Sequence, residues 1–386
     1  MGISFDKKLD GLGRDDGRGP APTGAQPAIA FSHSPSSKPV GADARAELLK
    51  DPGFGRIFTD HMVTIRWTKE GGWHDAAVRA REPIALDPAA AVLHYGQEIF
   101  EGLKAYTRGD GSIALFRPEQ NARRFQASAA RMAMPELPES IFLQAVDELV
   151  TIDAAWIPGN EGSLYLRPFL FATEAFLGVR PSHEYLFVLI ASSVGSYFKG
   201  GAKAVTVWLS DRYTRSAEGG TGAAKCGGNY AASLLAQAEA IEHGCDQVVF
   251  LDAAEHRWVE ELGGMNIFFV FDDGSLTTPP LSGTILPGIT RDSIITLARR
   301  EGRNVREERY SIAQWRTDAA SGRLREAFAC GTAAVVSAIG KIKSTDGDIV
   351  IGDGDGGPIT AALKARLVGI QRGDVADSEG WVRKVG

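Results

Sequence analysis

The stretch Gly219 to Tyr230, GGTGAAKCGGNY, holds one lysine, Lys225, in a run of small residues. Glycines on both sides let a backbone come close to a ligand. No carboxylate adjoins Lys225 in sequence to hold it as a surface ion pair. A lysine in an apolar or cation-rich pocket gives up its proton readily and becomes a nucleophilic amine, the group a Schiff base requires. A flexible glycine-rich loop with one solvated lysine is the other reading of this stretch. A phosphate-binding P-loop is excluded, because it needs Gly before its lysine and Ser or Thr after it. Ala224 and Cys226 stand at those positions.

Other segments carry chemistry of their own. In LPGITRDS, Pro287 and Gly288 break the chain before a helix that starts near Ile289 and Thr290. Free N–H groups and the positive dipole end make a phosphate site there, unless Thr290 only caps the helix. In VEELGGMNIFFVF, Glu261 precedes two glycines and an apolar strand. Turned inward, it needs a cation such as a protonated pyridine ring; turned outward, it is a strand-end glutamate in water. Arg167 lies inside the apolar run SLYLRPFLF and must be paired or face a ligand cleft. Cys330 to Thr332, CGT, follow an apolar strand in a small-residue turn suited to presenting N–H groups. Gly352, Gly354 and Gly357 match G-x-G-x-x-G, but fewer than 30 residues follow Gly357. No βαβ unit with a ribose-binding acid fits in that length, so a Gly/Asp-rich surface hairpin is expected instead.

The elements that must position these groups sit in a chain of ordinary globular composition: 386 residues, 44% hydrophobic and 23% charged, with net charge −6. No basic run points to nucleic acid, and no apolar stretch is long enough to span a membrane. Cys226, Cys245 and Cys330 are odd in number and far apart, which indicates neither a disulfide framework nor a metal site. The first residues lack a signal-peptide core, and a reducing, cytoplasmic setting is expected. Residues 1–42 read as a loosely ordered arm. Residues 43–195 read as a small N-terminal α/β domain, 196–203 as a linker, and 204–386 as a larger C-terminal domain carrying Lys225.

Within the first domain, ADARAELLKD reads as a helix, HMVTIRW as a strand and IALDP as a short strand. The strand SIALF runs into Pro118, which suits a first helical position. Phe125, Ala129 and Met132 then form a helical stripe, with Arg123 and Arg124 mid-helix and read as solvated. Ile141, Phe142, Ala145, Val146 and Leu149 line one side of a second helix, and EYLFVLIASS is a strand buried on both faces. In the second domain AVTVWLS, QVVFLD and IFFVF are strands. NYAASLLAQAEAIEHG is one helix stopped by Gly244, and EAFACGTAAVVSA is strand–turn–strand.

Six motifs then fall in order: HYGQEIFEGLKAY, LYLRPFLF, AAKCGGNYAASLLAQ, EELGGMNIF, TPPLSGTILPGITRD and CGTAAVV. From about residue 45 to 386 the chain resembles the branched-chain amino-acid aminotransferases of the fold-type-IV, pyridoxal-phosphate-dependent family. The resemblance implies an α/β (α+β) fold of two α/β domains with pyridoxal 5′-phosphate at their interface, assembled as a homodimer. It implies transfer of the amino group of L-leucine, L-isoleucine or L-valine to 2-oxoglutarate by a ping-pong cycle. Lys225 resembles the lysine that forms the Schiff base and shuttles the proton. Tyr230 resembles the partner of the cofactor's phenolic oxygen, and Glu261 that of its pyridine nitrogen. Arg124, Ile289, Thr290 and Thr332 match the phosphate ligands, and Arg215 a further cofactor-pocket arginine. Tyr165 and Arg167, with the backbone of Thr332 and Ala333, match the α-carboxylate site. Phe100 resembles part of the apolar wall, and Leu177 and Val179 the loop that enters the other subunit's pocket. Gly264 stands where some relatives have threonine, and no C-x-x-C pair follows the GT turn. A D-amino-acid aminotransferase or an aminodeoxychorismate lyase keeps the fold with other substrates. A nucleotide-binding protein using the Gly352 loop is an alternative of another class.

Overall fold

The computed structural model describes residues 29–159, 162–195 and 204–385. The expected linker, 196–203, and residues 1–28 of the expected arm lie outside them. The first elements are β1 (Ser32–Ser34), α1 (Ala42–Leu48), β2 (Ile57–Phe58), β3 (His61–Thr68), β4 (Gly72–Ala80), α2 (Ala91–Tyr95), β5 (Glu98–Phe100), β6 (Leu103–Thr107), β7 (Ile113–Phe116), α3 (Pro118–Arg131), α4 (Glu139–Ile152), β8 (Ser163–Ala172) and β9 (Glu184–Val194). Next come β10 (Val205–Ser210), α5 (Gly227–Ala231), α6 (Leu234–Glu242), β11 (Gln247–Leu251), β12 (Val259–Leu262), β13 (Asn266–Phe271) and β14 (Leu276–Thr278). The last are α7 (Ile289–Arg300), β15 (Val305–Glu307), α8 (Ile312–Ala320), β16 (Leu324–Gly331), β17 (Val335–Lys343), β18 (Ile349–Val350), α9 (Pro358–Arg372) and β19 (Val382–Lys384).

The chain divides into two compact units. The first takes Met1–Tyr197, Ala224–Gly227 and Ile370–Gly386; the second takes Phe198–Ala223 and Gly228–Gly369. This corrects the expectation that the C-terminal domain carries Lys225 and everything after it. Ala224 and Cys226 are buried in the core of the first unit, which explains why their short segment clusters there.

In the first unit one sheet has the order β1-β4-β3-β9-β8-β6-β7-β19, with β2 on β9 and β5 on β8. Its pairs are antiparallel except β1 with β4. Pro118 starts α3 at its first turn. The stripes of α3 and α4 meet through Phe125, Phe142 and Phe187, whose ring centroids lie 5.5, 5.8 and 6.4 Å apart. Two expectations are corrected. Residues 29–42 are not a loose arm: Ser32–Ser34 pairs with Ala77–Arg79, the Ser36 N–H donates to His61 Nε2 (3.0 Å), and the Val40 N–H donates to Asp60 (2.9 Å). The polar SHS strand gave no hydrophobic signal. IALDP is not a strand, since the flanking prolines 83 and 88 remove ladder donors.

In the second unit a mixed sheet has the order β12-β11-β10-β17-β16-β13-β14-β15, with β18 on β17. The helix expected from 229 to 244 is two, because the hydroxyl and N–H of Ser233 both bond the Tyr230 carbonyl, at 2.7 and 3.1 Å. Gly244 ends the second with φ 67°. The Gly352 loop is not a hairpin of its own but leads into α9. There the Glu326 carboxylate accepts from the Ile359 and Thr360 N–H groups, at 3.0 and 2.7 Å. A helix N-terminus already filled by the protein's own anion has no place for a phosphate. The nucleotide-binding alternative ends on that contact.

Candidate active site

Three backbone bonds hold the Lys225 segment in the first unit. The Lys225 N–H donates to Ser128 Oγ (2.9 Å), the Phe100 N–H donates to the Lys225 carbonyl (2.9 Å), and the Gly227 N–H donates to the Glu98 carboxylate. The side chain is half-buried, with Nζ 4.5 Å from the Phe100 ring centroid. Loss of water, with the charge of Arg124 adding to it and Glu101 acting the other way, lowers its amine to about 8. The solvated-lysine reading does not survive.

Arg124 is buried rather than solvated; Arg123 beside it is the exposed one and pairs with Glu139. Arg124 Nε and Nη2 donate to the two oxygens of Glu101, at 2.7 and 2.9 Å. Asn121 (2.8 Å) and the Gly102 N–H (3.0 Å) also donate to Glu101. Burial alone would raise the Glu101 carboxyl, but Arg124, Lys225 and Asn121 together hold it below the usual range.

Arg167 lies over the Phe100 ring (4.7 Å) and the Tyr165 ring (5.4 Å) and donates to the Tyr165 hydroxyl (3.2 Å). Its Nε is buried without a hydrogen bond, and among the described residues no carboxylate pairs with it. Gly102 leaves room for Tyr165, whose hydroxyl lies where a side chain at 102 would begin. Thus Lys225, Arg124, Phe100, Tyr165 and Arg167, far apart in sequence, form one constellation in the first unit. It pairs a readily deprotonated amine with a cation suited to a carboxylate.

In the second unit Arg215 and Glu261 are a buried ion pair. Glu261 Oε1 accepts from Arg215 Nη2 and from the Leu286 N–H (3.0 Å); its other oxygen accepts no hydrogen bond among the described residues. Burial pushes the Glu261 carboxyl up, against the pull of Arg215. Helix α7 begins at Ile289 with no side-chain cap, and Thr290 is buried in its first turn. A side chain at Gly288 would strike Asn266, which itself donates to the Leu286 carbonyl (3.1 Å). Tyr230 packs beside Gly264, where an added Cβ would sit 3.7 Å from its ring, so this position has room for a small residue. Thr332 and Ala333 form the turn between β16 and β17, where Val335 has φ 62°. A β-branched residue in that region is strained, a condition that clusters at ligand-binding turns. Leu177 and Val179 are 66% and 87% exposed in the single chain.

A profile of the family described as amino-transferase class IV matches residues 98–342. The chain belongs to the class IV aminotransferases. A branched-chain-amino-acid aminotransferase of Mycolicibacterium smegmatis is 56% identical over 92% of this chain and 98% of that protein. A Mycobacterium tuberculosis enzyme of the same name is 54% identical over 89% of this chain and 94% of its own length. The Escherichia coli branched-chain amino acid aminotransferase structure superposes with TM-score 0.69 at 30% identity, covering 83% of this chain and 99% of that one. The Thermobaculum terrenum enzyme, solved in its PLP holo-form, gives TM-score 0.68 at 25% identity, over 86% of this chain and 100% of that one. Among the described residues of this class IV aminotransferase, no helix is long and apolar enough to cross a membrane. No group of His, Cys, Asp or Glu could hold a metal ion among them.

Sequence reasoning about this class IV aminotransferase passed over Glu101, Asn121, Ser128, Glu98, Glu260 and Thr284. Glu101 had a signal: an acid inside the apolar run IFEGLKAY is a candidate partner for a buried arginine. The amine of Lys225 gives a pH prediction. With a value near 8, about one amine in ten is neutral at pH 7. Capture of pyridoxal phosphate by the apo chain should therefore speed up with rising pH and level off above about 8. Stopped-flow absorbance would check this, and a rate still climbing at pH 10 would put the amine in open water.

Proposed function

We propose that the chain catalyses reversible transfer of the amino group of L-leucine, L-isoleucine or L-valine to 2-oxoglutarate, as a cytoplasmic homodimer using pyridoxal 5′-phosphate. The observation that carries this reading is Lys225, its amine lowered to about 8, in one constellation with Arg167, which no carboxylate pairs among the described residues. The second unit fits the cofactor through the Glu261 oxygen that accepts no hydrogen bond among the described residues and through the start of α7, which has no side-chain cap among them. Bound pyridoxal phosphate supplies a carbonyl for an amine to attack and a ring that takes up the electron pair left at Cα. In the first unit Arg124 would meet its phosphate. In the second, the Ile289 and Thr290 N–H groups and the Thr332 hydroxyl would do so. Glu261 would hold the ring-nitrogen proton, with Arg215 beside it, and Tyr230 would donate to the phenolic oxygen.

Lys225 Nζ would take the proton from the substrate's Cα, which the neutral amine does and an ammonium does not. Arg167 and Tyr165, with the backbone of Thr332 and Ala333, would orient the α-carboxylate. Phe100 would exclude water from the side chain, and Leu177 and Val179 would complete the partner subunit's pocket.

A ping-pong cycle brings leucine and glutamate to the same pocket. A fixed arginine aimed at the side chain would be left buried and unpaired whenever leucine bound, at a cost of several kcal/mol. Switchable polar groups are therefore expected to meet the glutamate carboxylate. Leucine, isoleucine and glutamate should turn over well, and aspartate at least about tenfold less, since its shorter carboxylate falls in the apolar zone. Steady-state kinetics with these four and with D-amino acids test the reading. Aspartate or a D-amino acid matching leucine would overturn it.

A further inference from the structure

Strand β12 pairs antiparallel with β11, with Val259 opposite Leu251 and Leu262 opposite Val249. Three steps on β12 therefore oppose two on β11. The additional residue is a β-bulge, which interrupts the alternation that otherwise sends consecutive side chains to opposite faces. Glu260 and Glu261 sit at it. Both are buried, and both lie in the field of one cation, Arg215. Arg215 Nη2 donates to Glu261 and also to the Thr284 carbonyl (3.0 Å). The Thr284 hydroxyl in turn donates to Glu260, and the Ser282 hydroxyl lies 2.8 Å from the Thr284 hydroxyl.

Charge counting gives this arrangement a purpose. Glu261 paired with Arg215 is a neutral couple. Arg215 repels a protonated pyridine ring while Glu261 attracts it, so the couple alone holds the ring proton weakly. With Glu260 ionised, the three groups carry one net negative charge, and a pyridinium brings the cluster to zero. With Glu260 neutral, a pyridinium would leave an uncompensated buried cation, which is costly. We infer that Glu260 is a positioning residue for amino transfer: joined to Arg215 through Thr284, it offsets that cation so that Glu261 can hold the ring-nitrogen proton. The inference rests on the assignment of Glu261 to the pyridine nitrogen. Burial pushes the Glu260 carboxyl up; the Thr284 hydrogen bond and Arg215 oppose this, Asp252 adds to it, and Arg309 opposes it.

The test uses holoenzyme reconstituted with pyridoxal phosphate carrying ¹⁵N in its ring. The ring-nitrogen chemical shift is followed against pH in the wild type, Glu260→Gln and Glu261→Gln. Glutamine keeps the acceptor for Thr284 and removes only the charge. The protonation midpoint should fall by about one unit in Glu260→Gln, a typical effect of one nearby charge. Glu260→Asp should restore most of it, and thermal unfolding of the apo protein should not move. An unchanged midpoint in Glu260→Gln beside a lowered one in Glu261→Gln overturns the role of Glu260. Unchanged midpoints in both overturn the assignment of Glu261 itself. If Glu260→Gln yields no folded holoenzyme, Thr284→Val decides. It removes the donor to Glu260, pushes that carboxyl up and must lower the midpoint; no change overturns the inference.

Discussion

Lys225→Ala lowers transamination by at least about 10⁴-fold, since it removes both the nucleophile and the proton carrier. Borohydride no longer fixes pyridoxal phosphate to the protein. The loss is chemical, because the segment is held by the Lys225 N–H and carbonyl and the Gly227 N–H, none of which needs the lysine side chain. The sign of the stability change follows from the amine. Its folded value, about 8, lies below its ordinary range, so folding disfavours the charged form at pH 7. That penalty disappears with the side chain, and the variant should unfold at or above the wild-type temperature at pH 7. The advantage should fade as pH rises past the ordinary lysine range, where both states are neutral. Turnover at the wild-type rate would remove Lys225 from the reaction.

Arg124→Ala has two large effects that separate experimentally. A charge-assisted phosphate contact is worth about 1.5–3 kcal/mol, so the cofactor's dissociation constant should rise at least about tenfold. The variant also strands Glu101, which is fully buried and paired with Arg124 through both oxygens. Removing one partner of such a pair costs about 3–5 kcal/mol of stability. Adding Glu101→Gln should recover much of the stability and none of the cofactor affinity. With Arg124 gone and Glu101 still ionised, the Lys225 amine also moves up, and the plateau of cofactor capture moves to higher pH. Urea unfolding and cofactor titration on the single and double variants read these terms apart. Unchanged cofactor affinity would leave Arg124 as the partner of Glu101 alone.

The sequence is informative where one residue type has one physical use. Pro118 marks the start of α3, and the apolar spacing from Ile141 to Leu149 gives the buried face of α4. Glu261 and Arg167 were legible as charges in apolar strands, which must find a partner or face a ligand. Burial of Arg124 was not legible, because neighbouring Arg123 and Arg124 differ only in the side of the helix they occupy. Glu260 was hidden by a bulge, since a register shift leaves no mark in composition. The helix break at Ser233 depends on one hydroxyl turning back to a carbonyl, which the apolar pattern of NYAASLLAQ does not record. The placement of Ala224–Gly227 in the first unit depends on long-range bonds to Ser128, Phe100 and Glu98, which no local signal predicts.

The division of the chain into interleaved segments also sets the order of events during synthesis. Strand β7 receives its outer neighbour β19 only after Val382–Lys384 has been made. At about 5–20 residues per second, that wait is roughly 10–60 seconds. Over that interval the nascent first unit has an unpaired sheet edge at Ile113–Phe116, a template for pairing with another chain. It also lacks the short clip that brings Lys225 into it until residue 227 has emerged. Ribosome-bound chains halted before residue 380 should therefore be more prone to aggregate than released ones, and a chaperone that shields strand edges should raise the yield of active protein.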